Sequence, residues 1–205
     1  MKSVLITAFE PYDRWTANAS WLALVELTRN LPQQPAITTR LYPVDFATLP
    51  ARLGEDLAAN HDVVLHLGQA PGSGRIRLEM FAVNIGGHRG EPPDDFRPLA
   101  PDGPAAYRTS LPLVHWAGLM RQAGIPAQVS HHAGTFLCNA ATYLTHHLIA
   151  QQKLRSQAAF IHFPLATSQT IDDPQDLPSL PAEVSAAALR LILEDLVGNG
   201  YVGKA

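Results

Sequence analysis

The chain contains one cysteine, Cys138, in the string Ser130-His-His-Ala-Gly-Thr-Phe-Leu-Cys-Asn-Ala-Ala-Thr-Tyr-Leu. A lone cysteine forms no internal disulfide and supplies no Cys-rich metal site, which leaves a buried small hydrophobe or a reactive thiol. Free cysteine is among the most buried residue types, so context has to decide. Ala133-Gly134 reads as a turn, Thr135 to Leu137 as a short approach, and Cys138 as the opening of a helix running to about Ala150. A thiol at a helix N-terminus feels the positive end of the backbone dipole, which favours the nucleophilic thiolate.

A base for such a thiol lies downstream. Ala158-Ala-Phe-Ile-His-Phe-Pro is an apolar strand ending in His162, and open α/β sheets place chemistry at the carboxyl ends of their strands. An imidazole titrates near neutrality, so it can take a thiol proton and return it to a leaving group. The chain has nine histidines, so His162 stands out by its position and by its pairing with Cys138 rather than by its type. A Cys–His pair works better when a third group orients the imidazole. Glu79, inside the apolar run Ile76-Arg-Leu-Glu-Met-Phe-Ala-Val-Asn-Ile, is a candidate, because a buried carboxylate needs a partner. The competing reading is an ion pair with Arg75 or Arg77.

The elements that must carry these groups follow from patterning. Val4 to Ala8 and Asp62 to Gly68 read as buried strands, and Ala36 to Leu41 as a third that stops at Pro43. Asn18 to Asn30 has helical spacing, with Asn18 or Ser20 as its cap, and Phe46 to Asn60 is a second helix. The first 70 residues thus read β-α-β-α-β, the pattern of a parallel sheet covered on both faces. Beyond it, Arg75 to Asn84 is an extra strand or hairpin, and Ile85 to Gly103 a long surface loop of the kind that is usually functional or mobile. Tyr107 to Ala123 is helical in part, Ile125 to Ser130 and Ala158 to His162 are strands, and Pro181 to Val197 is the last helix. Thr167 to Pro181 is a connector. The fold expected is one α/β domain over 1–205: an α/β/α sandwich whose twisted, mostly parallel central sheet carries helices on both faces.

Composition narrows the function. The chain has 205 residues, 46% apolar and 16% charged, which is globular rather than disordered. A net charge of −3 without a basic run gives no footing for nucleic acid or an anionic membrane surface. The opening Met1 to Glu10 is too soon acidic for a signal peptide, and no apolar run reaches the ~18 residues of a membrane span. Together with a single cysteine, this points to a reducing cytoplasm. His131-His132, His146-His147 and His66 raise a metal-site reading. Adjacent histidines diverge on strand and helix alike, however, and no His-Glu-x-x-His string is present. Gly68-Gln-Ala-Pro-Gly-Ser-Gly lacks the lysine of a phosphate-binding loop.

Taken in order, several strings resemble those of the pyroglutamyl peptidase I (pyrrolidone-carboxylate peptidase) family of cysteine peptidases. They are Thr7-Ala-Phe-Glu-Pro-Tyr, Gly68-Gln-Ala-Pro-Gly, Leu78-Glu-Met-Phe-Ala-Val-Asn, Pro101-Asp-Gly-Pro-Ala-Ala-Tyr, Ala133-Gly-Thr-Phe-Leu-Cys-Asn and Phe160-Ile-His-Phe-Pro. The resemblance implies removal of an N-terminal pyroglutamyl residue from small peptides, with neither metal nor cofactor. It also implies a dimer or tetramer. Carried over, it makes Cys138 the nucleophile, His162 the base and acid, and Glu79 the orienting carboxylate. Arg89 would lie near the oxyanion. Phe9, Tyr12, Phe136 and Leu137 would be apolar walls for the ring, and Gln69 would hydrogen-bond the lactam.

The chain departs from the family's pattern at several points. Ala8 stands for a glycine, Tyr12 for a phenylalanine, Asp13-Arg14 for a Gly-Gly pair, Val44 for a threonine, Met80 for an arginine and Gly90 for an isoleucine beside the ring. The Tyr12 hydroxyl needs a partner in an apolar pocket. These changes keep a second reading in view: a catalytically weak or inactive relative that binds cyclic or blocked peptide ends on the same scaffold.

Overall fold

The computed structural model describes residues 2–88 and 90–198. Along the chain run β1 (Ser3–Phe9), α1 (Ala19–Thr28), β2 (Ala36–Tyr42), α2 (Leu49–Leu57), β3 (Val63–Gln69), β4 (Ile76–Glu79) and β5 (Phe81–Val83). There follow β6 (Ala106–Arg108), α3 (Leu113–Gln122), β7 (Ala127–Ser130), α4 (Leu137–Gln152), β8 (Gln157–Phe163), β9 (Leu165–Ala166), β10 (Ser179–Leu180) and α5 (Ala182–Gly198). Six strands form the central sheet in the order β2-β1-β3-β8-β4-β7. Every neighbour pair is parallel except β8 and β4. Two small two-stranded ribbons, β5 with β6 and β9 with β10, flank it.

Strand alternation divides the interior. Val4, Ile6 and Ala8 of β1, Val63, Leu65 and Leu67 of β3, and Ala159, Ile161 and Phe163 of β8 face one side. There they pack against Ala23, Leu24 and Leu27 of α1, Trp116 and Met120 of α3, and Leu189, Ile192 and Leu193 of α5. The intervening residues, Leu5, Phe9, Val64, Ala158 and Phe160, meet α2 and α4 on the other side. Strands buried on both faces read as continuous apolar runs, which is how β1, β3 and β8 stand in the sequence.

The chain leaves β1 outward to β2 and then returns to β3 on the other flank of β1. That reversal opens a crevice beyond the carboxyl ends of β1 and β3, the place where open α/β sheets hold ligands. The strand β8 then enters between β3 and β4, and the antiparallel run of β4 sets Glu79 opposite Phe160, two residues from His162 on the same face.

One expectation shifts and three are refined. The second helix starts at Leu49, not Phe46, because the Asp45 carboxylate accepts from the Ala47 and Thr48 N–H groups and holds a turn there. It closes by Leu57, before Asn60 at φ +50°. Within 107–123 the helical part is α3, with Pro112 immediately ahead of it and β6 upstream. The run 75–84 is two separate strands, one in the central sheet and one in a ribbon. The loop 85–103 is braced by main-chain bonds between Gly86 and Arg97 and by a short 3-10 turn at Pro93–Asp95.

Candidate active site

His162 occupies the penultimate position of β8 and is nearly buried, as is Glu79. The imidazole Nδ1 donates to Glu79 Oε1 at 2.8 Å. This bond fixes the tautomer, leaving Nε2 to face Cys138, whose side chain hydrogen-bonds the ring. The neighbouring strand permits the arrangement only because it carries Gly68. A Cβ there would come within 2.6 Å of the Phe160 ring and 3.1 Å of His162 Cδ2. The Arg75 and Arg77 alternative for Glu79 is not what forms: Arg77 donates to Ser73 Oγ instead. The second Glu79 oxygen is buried and has no partner among the described residues.

Burial alone would push the His162 pKa down. The charge and hydrogen bond of a Cys138 thiolate and those of Glu79 outweigh it and raise the pKa to about 9. Near neutral pH the ring therefore keeps its second proton, held between Glu79 and Cys138.

Cys138 is the second residue of α4 and is partly exposed. The first N–H groups of a helix have no intrahelical acceptor, so the backbone at Cys138 presents donors where an oxyanion would form. The next residue, Asn139, is fully buried and clasps the β5 segment: its Oδ1 accepts from Val83 N–H at 2.9 Å, and its Nδ2 donates to the Val83 and Ile85 carbonyls. This anchors the first turn of α4 from below.

Beside Cys138 opens a small, mostly apolar pocket lined by Phe9, Tyr12, Asn18, Val44, Gly68, Gln69, Phe136 and Leu137. All five predicted wall and amide residues are therefore together, at the crevice between β1 and β3. The Tyr12 hydroxyl finds the Gln69 main-chain carbonyl at 3.4 Å. Gly90 lines the adjoining groove with Tyr12 and Phe136 rather than this pocket. Asp13 takes the left-handed conformation, φ +58°, which aspartate tolerates better than most residues. Arg14 ties the loop down through Asp173 at 3.0 Å and lies over the Trp15 ring. Arg89 lies outside the described residues. Asn18 was expected only as a helix cap, yet it both caps α1 and lines the pocket. Gly68 and Asn139 carry no comparable signal for what they do. The sequence offered only a glycine ending a strand and an asparagine after the cysteine.

Among the described residues no group of three or more His, Cys, Asp and Glu side chains could hold a metal ion. His66 instead lies between the hydroxyls of Thr7 and Thr145 at 2.7 and 2.8 Å.

A thiol at a helix start, an imidazole at a strand end and a carboxylate behind it, all on an α/β/α scaffold, are the parts of a cysteine hydrolase. Residues 2–198 match the family model for pyroglutamyl peptidase. The pyrrolidone-carboxylate peptidase of Pseudomonas fluorescens is 39% identical over 92% of this chain and 90% of its own length. That of Bacillus subtilis is 37% identical over 93% and 90%. The crystal structure of pyrrolidone carboxyl peptidase from Fervidobacterium islandicum superposes with a TM-score of 0.89 at 32% identity, covering 96% of this chain and 99% of that one. This chain belongs to the pyroglutamyl peptidase family.

Proposed function

We propose that the protein is a cysteine peptidase that removes an N-terminal pyroglutamyl residue from small peptides through a thioester. The observation that carries this reading is the thiol–imidazole–carboxylate line, Cys138, His162 and Glu79, beside a small apolar pocket that holds the buried Gln69 amide. The pyroglutamyl ring is flat, neutral and small, so Phe9, Tyr12, Phe136 and Leu137 suit its faces and Gln69 suits its lactam. A blocked peptide end carries no ammonium and requires no acidic anchor.

In the reaction the Cys138 thiolate attacks the pyroglutamyl carbonyl carbon, and the oxygen takes up the electron pair. The N–H groups at the start of α4 stabilise that charge, with Arg89 assigned beside them on family resemblance alone. The His162 imidazolium gives its proton to the departing amine as the tetrahedral intermediate collapses to a thioester. The neutral imidazole then takes a proton from water, which attacks the thioester and frees pyroglutamate. Glu79 holds the ring in place and stabilises its charged form throughout.

The inactive-relative reading is not favoured: the relatives it would diverge from are peptidases, and the three groups stand in register here. No helix among the described residues is long and apolar enough to cross a membrane. A cytoplasmic location and a homo-oligomer, dimer or tetramer, complete the proposal. The exposed Val114 and Ile171 are the first places to seek a subunit contact.

The test is release of a fluorescent amine from a pyroglutamyl amide under reducing conditions. Wild type should turn over, and Cys138→Ser should lose at least ~10⁴-fold in kcat while melting as wild type does. Turnover surviving in Cys138→Ser would remove Cys138 as the nucleophile. A silent wild type would return weight to the binding reading.

A further inference from the structure

Gln69 closes β3, is almost fully buried and lines the pocket beside Cys138. Which end of its amide is left for the pocket determines what the pocket can recognise, and the surrounding hydrogen bonds decide it. Gln69 Oε1 accepts from the Ala19 main-chain N–H at 2.7 Å, a group that can only donate. The same oxygen accepts from Gln169 Nε2 at 2.8 Å. Gln169 is oriented in its turn. Its Oε1 accepts from the Ala166 N–H at 2.8 Å, so its Nε2 must be the donor, shared between Gln69 Oε1 and the Ala17 carbonyl at 3.0 Å. Main-chain groups of fixed polarity thus set both amides. What remains is Gln69 Nε2, buried and without an acceptor among the described residues. Gln169 does not itself line the pocket. It reaches Gln69 across 100 residues of sequence, from the short 3-10 turn Thr167–Gln169.

We propose that Gln169 is a positioning residue that commits the pocket to ligands presenting a ring carbonyl, by holding the Gln69 amide with its donor free. The inference rests on the peptidase reading above, in which that acceptor is the lactam oxygen. A proline ring has the same size but no such oxygen. It would leave Gln69 Nε2 unpaired, and a buried donor left without an acceptor discriminates strongly.

The experiment compares Gln169→Met and Gln169→Glu in the full chain, with the pyroglutamyl amide as substrate. Methionine removes the clamp, and KM should rise about tenfold with kcat within about threefold. Glutamate keeps the acceptor for Ala166 N–H but sets a carboxylate against Gln69 Oε1. That favours the turned amide, which offers an acceptor to an acceptor, and KM should rise about 100-fold. A merely structural role predicts the reverse order, because glutamate preserves a bond that methionine breaks. The double variant Gln69→Met/Gln169→Met should be no worse than Gln69→Met alone. Additive losses, or a methionine variant worse than the glutamate one, would overturn the proposal.

A second readout does not need turnover: protection of Cys138 from iodoacetamide by 2-pyrrolidone, with the unprotected alkylation rate reporting an intact site. Protection should be seen in wild type and be lost in Gln169→Glu. Protection with no wild-type turnover would sink the peptidase reading and leave this one standing. Wild-type turnover with equal protection in all variants would sink this one alone.

Discussion

Two histidines occupy neighbouring strands on the same face of the sheet and meet opposite fates. His66 lies in the middle of β3 and His162 near the end of β8, with the Phe160 ring between them, 6.3 Å from one and 4.6 Å from the other. Both are buried, and burial by itself disfavours the charged ring in each. His66 touches two threonine hydroxyls, which a neutral ring satisfies completely. Burial, with a further push from the nearby His146, takes its pKa down to about 3. His162 touches a carboxylate and a thiol, and its pKa rises to about 9. The charge of the partners, rather than depth, separates a structural histidine from one that can carry a proton in a reaction.

The largest effect within that contrast comes from making the His162 site more like the His66 site. Glu79→Gln keeps an oxygen for Nδ1–H and nearly the same shape, but removes the charge. The expected outcome is a fall in kcat/KM of roughly 10²–10⁴-fold. The alkaline limb of the pH profile should also move to lower pH, since one of the groups that raises the His162 pKa is gone. Full activity with an unmoved limb would return Glu79 to a purely structural role.

The wild-type pH dependence is a smaller, two-sided test. His162 has a folded pKa raised above its ordinary 6.5. Its contribution to stability is therefore fully present below about 6.5 and is lost as the pH rises through about 9. The same loss removes the proton destined for the leaving amine, so kcat/KM should fall through about pH 9. The folded pKa of His66 is depressed, so its sign is opposite: its contribution is present above about 6.5 and is lost as the pH falls toward 3. Urea midpoints measured from pH 4 to 10 should decline at both ends. A flat acid side would mean that His66 accepts a proton without cost and that the contrast is wrong.

The groups proposed to react stand out in the sequence because each carries its chemistry in its type and its position in the patterning: a lone cysteine opening a helix, a histidine closing an apolar strand, a glutamate inside an apolar run. The parallel half of the sheet was legible for the same reason, as continuous apolar runs alternating with helical spacing. What supports the site was harder to read. Gln169 sits in a proline-rich connector whose composition says only that the chain turns. Its role depends on a contact 100 residues away. Gly68 matters for a missing Cβ against a ring on another strand, and no local pattern encodes that. The reversed direction of β4, which brings Glu79 to His162, follows from strand order in space rather than from any feature of Ile76 to Glu79.

The smallest effect on catalysis should come from His66 itself. His66→Leu keeps a buried side chain of similar bulk and strips the partner from Thr7 Oγ1 and Thr145 Oγ1. A buried hydroxyl left unpaired costs about 1–3 kcal/mol, but Thr145 lies within α4 and can turn back to a carbonyl one turn earlier, so the loss from that side is the lesser one. A net destabilisation of about 2 kcal/mol is expected, read from the urea midpoint at pH 7.5. The decline at low pH should also flatten, because the group that resisted protonation is gone. The Phe160 ring separates the two imidazoles, so kcat measured well below the melting temperature should stay within about threefold of wild type. A collapse of kcat with an unchanged midpoint would mean that the two histidines form one proton-handling unit, with the polar line running from Thr145 through His66 toward the thiol.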